Sequence, residues 1–312
     1  MKRILVTGAS GLIGRHAVAA LVRQGGWDIH VAARRLPELP SGDGVTAHAV
    51  DLLDPLGPTE LLRRTAPSHL LHLAWTTEHG RFWRAPENLD WVAATLRLAR
   101  AFAEAGGRRM VAGGTCAEYD WSAPELVDGS CHEDATPTLP HTLYGVAKDA
   151  CRRMLTAFGA EAGIETAWGR IFFPFGPGED PRRLIPSIIG NLRACIAAPC
   201  SPGTQVRDFI AGEDAGAAFA AITASGVTGA VNVGSGIPMT IAEVALTVGR
   251  AMGRPDLIHL GALPLRPDDP PRLVADVRRL TDEVGFRCGA SLEQRITSMA
   301  HLRCLDVSPM SP

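Results

Sequence analysis

Tyr144 and Lys148 stand four residues apart in a segment, 141–158, whose pattern predicts a helix, so both side chains fall on one face one turn apart. A lysine ammonium beside a phenol stabilises the phenolate and can also reach a neighbouring ribose, and one of the chain's two tyrosines is placed there. Upstream, 109–112 reads as a strand followed by Gly113-Gly114-Thr115, which brings the Thr115 hydroxyl to a sheet edge where it can hydrogen-bond a reacting oxygen. Threonine, tyrosine and lysine in that order suit proton transfer coupled to hydride transfer, with a dinucleotide as the redox agent.

Such a trio needs a phosphate cradle, and the start of the chain has the pattern for one. Residues 3–6 form an apolar strand candidate, and Gly8, Gly11 and Gly14 lead into a helical stretch at 17–22. Gly8 permits the turn, Gly11 lets backbone approach a pyrophosphate, and Gly14 lets helix and strand pack closely. Ser10, Leu12 and Ile13 complete the loop, and the helix N-terminus offers its amides to the phosphates.

The second strand, 28–33, ends in Arg34-Arg35, with no carboxylate to hold a ribose 2′-hydroxyl. Two guanidinium groups there suit a 2′-phosphate, so NADP(H) is favoured over NAD(H). The next strand, 45–50, leads to Asp51 and Leu52 as adenine contacts. The strand at 70–74 brings Leu73, Ala74 and Trp75 to the cofactor edge of a parallel sheet. A helix over 88–105 follows, its first residue Asn88 counted with the cofactor contacts, and Gly106-Gly107 ends it. His72, inside an apolar strand, reads as a satisfied core residue.

Composition narrows the class. The 312 residues carry 31 Lys+Arg against 33 Asp+Glu, a net charge of −2 that gives no overall attraction for nucleic acid. Seven cysteines without a CxxC pair fit a reducing cytoplasm better than a disulfide scaffold or a structural zinc site, and the histidines lack metal-ligand spacing. No run of about twenty apolar residues marks a membrane span. The expected architecture is α/β: a Rossmann-like doubly wound parallel sheet with a smaller C-terminal substrate-binding domain. Residues 1–169, completed near 206–236, form the cofactor half; 170–205 and 237–300 form the substrate half; 301–312 read as a flexible tail.

The ordered combination resembles the extended short-chain dehydrogenase/reductase family, in its nucleotide-sugar epimerase, dehydratase and 4-ketoreductase branch. Thr7-Gly8-Ala9-Ser10-Gly11-Leu12-Ile13-Gly14 matches its glycine-rich start, Tyr144-Gly145-Val146-Ala147-Lys148 its active-site pair and Thr115 its Ser/Thr. Further matches are Arg170 to Gly178, Arg207-Asp208-Phe209 with Asp214, and Asn232 to Gly236. The resemblance implies a nucleoside-diphosphate sugar as ligand, with Arg207 and Arg272 on the diphosphate and Arg182, Cys116 and Glu118 on the substrate side. It also implies a homodimer formed through the helices at 88–105 and 141–158.

Departures from the family pattern bear on the reaction. The 4,6-dehydratases of the family follow their threonine with an Asp-Glu pair, where this chain has Cys116-Ala117, and Glu118 is displaced by one position. Reduction of the C4 ketone of a nucleoside-diphosphate-4-keto-6-deoxyhexose by NADPH needs no such pair, and Arg34-Arg35 favours it. An NAD-dependent 4-epimerase is the alternative, ahead of an atypical dehydratase using Cys116. A nucleotide-binding protein without turnover is the rival class, against which the presence of both Tyr144 and Lys148 argues.

Overall fold

The computed structural model describes residues 1–36, 44–126, 129–266 and 269–301. Thirteen strands occur among them: β1 (Lys2–Thr7), β2 (Trp27–Ala33), β3 (Val45–Ala49), β4 (His69–His72), β5 (Arg109–Thr115), β6 (Glu165–Ile171), β7 (Phe173–Phe175), β8 (Ala198–Pro199), β9 (Val206–Ala211), β10 (Gly229–Val233), β11 (Pro238–Thr240), β12 (Ile258–His259) and β13 (Arg272–Leu273). The helices are α1 (Gly14–Gln24), α2 (Gly57–Thr65), α3 (Glu87–Glu104), α4 (Leu143–Ala162), α5 (Leu184–Arg193), α6 (Gly212–Ala224), α7 (Ile241–Ala251) and α8 (Leu292–His301).

Seven strands form one parallel sheet in the order β10-β6-β5-β4-β1-β2-β3. Successive side chains of β1 go to opposite faces: Ile4 and Val6 join Val18, Leu21 and Phe219 of α1 and α6, whereas Leu5 joins Leu61, Leu98 and Phe102 of α2 and α3. Both faces are therefore covered, which is why these strands are apolar runs rather than alternating ones. The strand order reverses between β1 and β4, and the crevice beyond their carboxyl ends is where such a sheet binds ligands.

A second sheet, β11-β9-β13 with β7 on β9, carries α5, α7 and α8 over a separate core that includes Ile185, Ile189, Val244, Val248 and Ile296. Residues 206–211, expected to complete the cofactor half, belong to this sheet instead. The chain returns to the large sheet only at α6 and β10, because β9 pairs parallel with β7 and not with β10. Of the expected tail at 301–312, His301 is the last residue of α8 and 302–312 lie outside the described residues. Among the described residues no helix is long and apolar enough to cross a membrane, and no cluster of three or more His, Cys, Asp or Glu is arranged to hold a metal.

Candidate active site

The cradle is built at the reversal point. Gly8 has φ +71°, and a Cβ on it would stand 2.6 Å from Ala74 N, so only glycine allows β1 and β4 to end this close together. A Cβ on Gly14 would overlap the Gly8 carbonyl, whereas one on Gly11 would meet only Gly8 O, at 3.2 Å. The hydrogen bond from Gly11 N to Gly8 O, 3.0 Å, closes the turn. No side chain caps the start of α1, and its first turn has no acidic residue, so the amide end stays open to an anion. Behind it, His72 bridges Thr7 (Nδ1–Oγ1 2.8 Å) and Thr95 (Nε2–Oγ1 3.0 Å). Burial lowers its pKa to about 3, which makes it a neutral core residue.

A cavity of about 290 Å³ runs over this cradle. Gly8, Ser10, Gly11, Leu12, Ile13 and Gly14 line its floor; Arg34, Asp51 and Leu52 line the β2–β3 end; Leu73, Ala74 and Trp75 come from the β4 end. Tyr144 and Lys148 of α4 line it as well. A glycine cradle, an uncapped helix start and a cation beyond β2 are the donor set a dinucleotide needs, and the residues fit that group.

Thr115 ends β5 in extended geometry and caps a short helical turn over Cys116–Glu118. Its Oγ1 accepts from Ala117 N (3.2 Å), while its own amide donates to Glu118 Oε1 (2.8 Å). Helix α4 begins at Leu143 rather than at 141 because Thr142 is its cap, accepting from Gly145 N at 3.1 Å. That start places the Tyr144 phenol beside the Thr115 side chain. Burial pushes the phenol above its ordinary pKa, opposed by the Thr115 hydroxyl, so Tyr144 holds its proton at neutral pH. Its ring lies edge-on to Phe82 and Trp83, with centroids 4.9 and 5.8 Å away.

One turn on, Lys148 is buried and donates from Nζ to Gly113 O at 2.7 Å. No carboxylate lies within ion-pair distance of it among the described residues. Burial lowers its pKa from 10.5 to about 8, so the ammonium persists at pH 7 and is lost a little above it. Nζ stands 6.0 Å from the Tyr144 ring centroid.

Several residues expected at the site are engaged elsewhere. Glu118 is 0% exposed, and its carboxylate accepts from Thr115 N, Trp168 Nε1 and Arg170 Nε (2.9 Å); the helical turn folds it into the protein, away from any substrate. Asn88 spends its amide on Phe82 O and Ala85 O and its oxygen on Trp75 Nε1, so it orients Trp75 rather than touching a cofactor. Arg182 is turned to Asp180 (2.7 Å), and its neighbour Arg183 lines the cavity instead, held by Glu179 (3.1 Å).

Arg207 is buried and paired to Asp269 at 2.6 Å, and Arg272 donates to Gly129 O at 2.7 Å. Cys116 packs with Phe172, Leu273 and Ala275; burial raises its thiol to about 12, which makes it a poor acid or base. Arg34 lines the cavity, while the exposed Arg35 is not among its lining residues.

Trp91 and Pro174 also line the cavity and were not singled out from the sequence. Trp91 was hidden in the apolar periodicity of α3. One further signal was available: Lys2 and Lys148 are the chain's two lysines, every other cationic side chain of the Lys+Arg set being arginine. A lone internal lysine in so arginine-rich a chain marks a place where a compact charge with an adjustable pKa is needed.

Known proteins resemble this chain over most of its length. The chain is 28% identical to the UDP-glucose 4-epimerase of Azospirillum brasilense, covering 91% of this chain and 86% of that one. It is 26% identical to the dTDP-glucose 4,6-dehydratase of Xanthomonas campestris pv. campestris, over 94% and 90% of the two chains. The solved structure of MoeE5 in complex with UDP-glucuronic acid and NAD superposes with a TM-score of 0.78 at 29% identity, covering 96% of this chain and 97% of that one. Residues 4–234, which span the glycine cradle, Thr115, Tyr144 and Lys148, match the sequence profile of the NAD dependent epimerase/dehydratase family, and the chain belongs to that family.

Proposed function

We propose that this protein is an NAD(P)-dependent enzyme that performs redox chemistry at C4 of a nucleoside-diphosphate sugar, and that it works as a 4-ketoreductase using NADPH. The observation that carries the reading is that Tyr144, with Thr115 beside it, and Lys148 one turn away line a cavity that also reaches the glycine cradle and Arg34. When bound, the nicotinamide supplies the hydride for the C4 carbon.

The chain's own groups handle the oxygen and the proton. The Thr115 and Tyr144 hydroxyls would together polarise the sugar C4 carbonyl, and the protonated phenol donates to the oxygen as charge develops on it. The Lys148 ammonium stabilises the phenolate left behind. Phe82, Trp83 and Trp121 exclude water around Tyr144, which strengthens each of these interactions. A 4,6-dehydration would need further acid and base groups, and the nearby candidates fail it: Cys116 is a buried neutral thiol and Glu118 is consumed by Arg170 and Trp168.

Arg34 supports NADPH because a guanidinium in place of a carboxylate suits a 2′-phosphate. The diphosphate of the sugar nucleotide is assigned to Arg183, the arginine beyond β7 that lines the cavity, since Arg207 and Arg272 are held by Asp269 and Gly129. Exposed Leu89 on α3 and Val146 and Met154 on α4 favour a homodimer through these helices, which a solution mass equal to one chain would overturn.

A 4-epimerase using tightly held NAD is the second reading, favoured by the Azospirillum relative. Purified protein is to be incubated with nucleotide-linked 4-keto-6-deoxyhexoses and, separately, with nucleotide hexoses. Net NADPH oxidation with a reduced sugar product supports the reductase. Inversion at C4 without net cofactor consumption replaces it with the epimerase.

A further inference from the structure

We propose that Trp75 is a positioning residue for Lys148, its indole face standing in for the missing counter-ion and holding the ammonium toward Tyr144 and the cofactor cavity. The inference rests on the reading of Lys148 as part of the active site, and goes beyond it in giving that lysine a partner.

The geometry carries it. Lys148 Nζ lies 3.8 Å from the centroid of the Trp75 ring, against 6.0 Å for Tyr144 and 5.9 Å for Trp168. A cation this close to a tryptophan face, in a site shielded from water, is held by the ring quadrupole, and tryptophan is the strongest aromatic partner. The indole itself is fixed: its Nε1 donates to Asn88 Oδ1 at 2.9 Å, and the fully buried Asn88 is locked by two bonds of 2.8 Å to Phe82 O and Ala85 O. Trp91 stacks beside it at 6.0 Å.

A carboxylate in this place would bind the ammonium hydrogens one by one. A ring face attracts the charge while leaving the N–H groups that do not point at Gly113 O free for ligand hydroxyls. That arrangement suits a lysine required both to stay charged and to donate into the cavity.

The other titratable groups facing Lys148 do not confuse the test. His72 is neutral, its pKa lowered to about 3; the Cys151 thiol is raised to about 11; Glu118 is bonded to Arg170 and Trp168; Tyr144 is held protonated by burial. A transition near pH 8 in the Lys148 signal is therefore assigned to its own ammonium.

With Lys2 as the one other lysine, protein labelled with ¹³C at lysine Cε gives two resonances, which Lys148→Met assigns. In the free protein the Lys148 signal is expected to carry an upfield ring-current shift and to titrate near pH 8. In Trp75→Leu the ring-current shift shrinks to what Tyr144 and Trp168 leave, and the midpoint falls by about one pH unit, the scale of a desolvated cation–π contact. Trp75→Phe restores part of both effects, and should the leucine variant not fold, a phenylalanine midpoint below the wild-type value carries the test. An unchanged midpoint and shift in either folded variant overturns the proposal. The readout needs no substrate, so keto-sugar inactivity of the wild-type enzyme would count against the proposed reaction and leave the Trp75 assignment standing.

Discussion

Two buried cations sit close to the active site and are treated in opposite ways. Arg170 on β6 is held by three protein groups: Nε to Glu118 at 2.9 Å, and Nη1 to Tyr119 Oη at 3.0 Å and to Glu133 O at 2.9 Å. Its pKa is raised despite burial, through Tyr119 and Glu118. Lys148 on α4 has a carbonyl and aromatic faces but no carboxylate, and its pKa falls to about 8. A charge whose partners are all protein groups organises the fold, here by clamping Glu118 and through it the Thr115 turn. A charge left short of partners keeps donors and proton affinity for something not yet bound.

Removing each cation sharpens this contrast. Arg170→Met strands the buried Glu118 carboxylate and is expected to cost about 3–5 kcal/mol of stability, read as a lower denaturation midpoint. Lys148→Met leaves no charge unpaired, so the denaturation midpoint at pH 7 stays or rises while turnover falls on the order of 10²-fold or more. Equal losses of stability in both variants would erase the distinction.

The pH dependence separates the two roles in another way. Lys148 has a folded pKa below its unfolded value, so between pH 8 and 10 the unfolded chain binds more protons at this site than the folded one. Its contribution to stability therefore rises with pH across that window, and wild type should gain stability relative to Lys148→Met. The gain approaches about 3 kcal/mol at its upper limit. Activity that needs the ammonium runs the opposite way, falling above about pH 8. An activity profile flat to pH 10 would remove the ammonium from the mechanism. A smaller effect is expected at the far end of the cavity, where Arg34→Ser should weaken NADPH relative to NADH by roughly tenfold, the worth of a charged hydrogen bond. An unchanged ratio of the two affinities would count against the assigned 2′-phosphate contact.

The parts of the site legible in the sequence are those whose chemistry is local. Gly8 to Gly14 signals a turn within seven residues, Arg34 marks the end of a strand by its position, and Tyr144 and Lys148 share a face through helix period alone. What could not be read depends on partners remote in sequence. Glu118 looked like a substrate contact until Arg170, 52 residues away, claimed it, and Arg207 is held by Asp269, 62 residues on. The place of Asn88 at the start of α3 points to a cofactor contact, but its side chain is consumed within a loop whose path no periodicity encodes. The placement of β9 in the smaller sheet is likewise hidden, since a short strand carries no label for the sheet it joins.

The most direct test of the account is turnover by Tyr144→Phe, measured with an NDP-4-keto sugar and NADPH beside NADPH binding to the same protein. The variant keeps the ring packed against Phe82 and Trp83 and loses only the phenolic oxygen beside Thr115. The predicted result is a fall in kcat on the order of 10²–10⁴-fold with cofactor affinity nearly unchanged. Turnover equal to wild type would contradict the claim that Tyr144 delivers the proton.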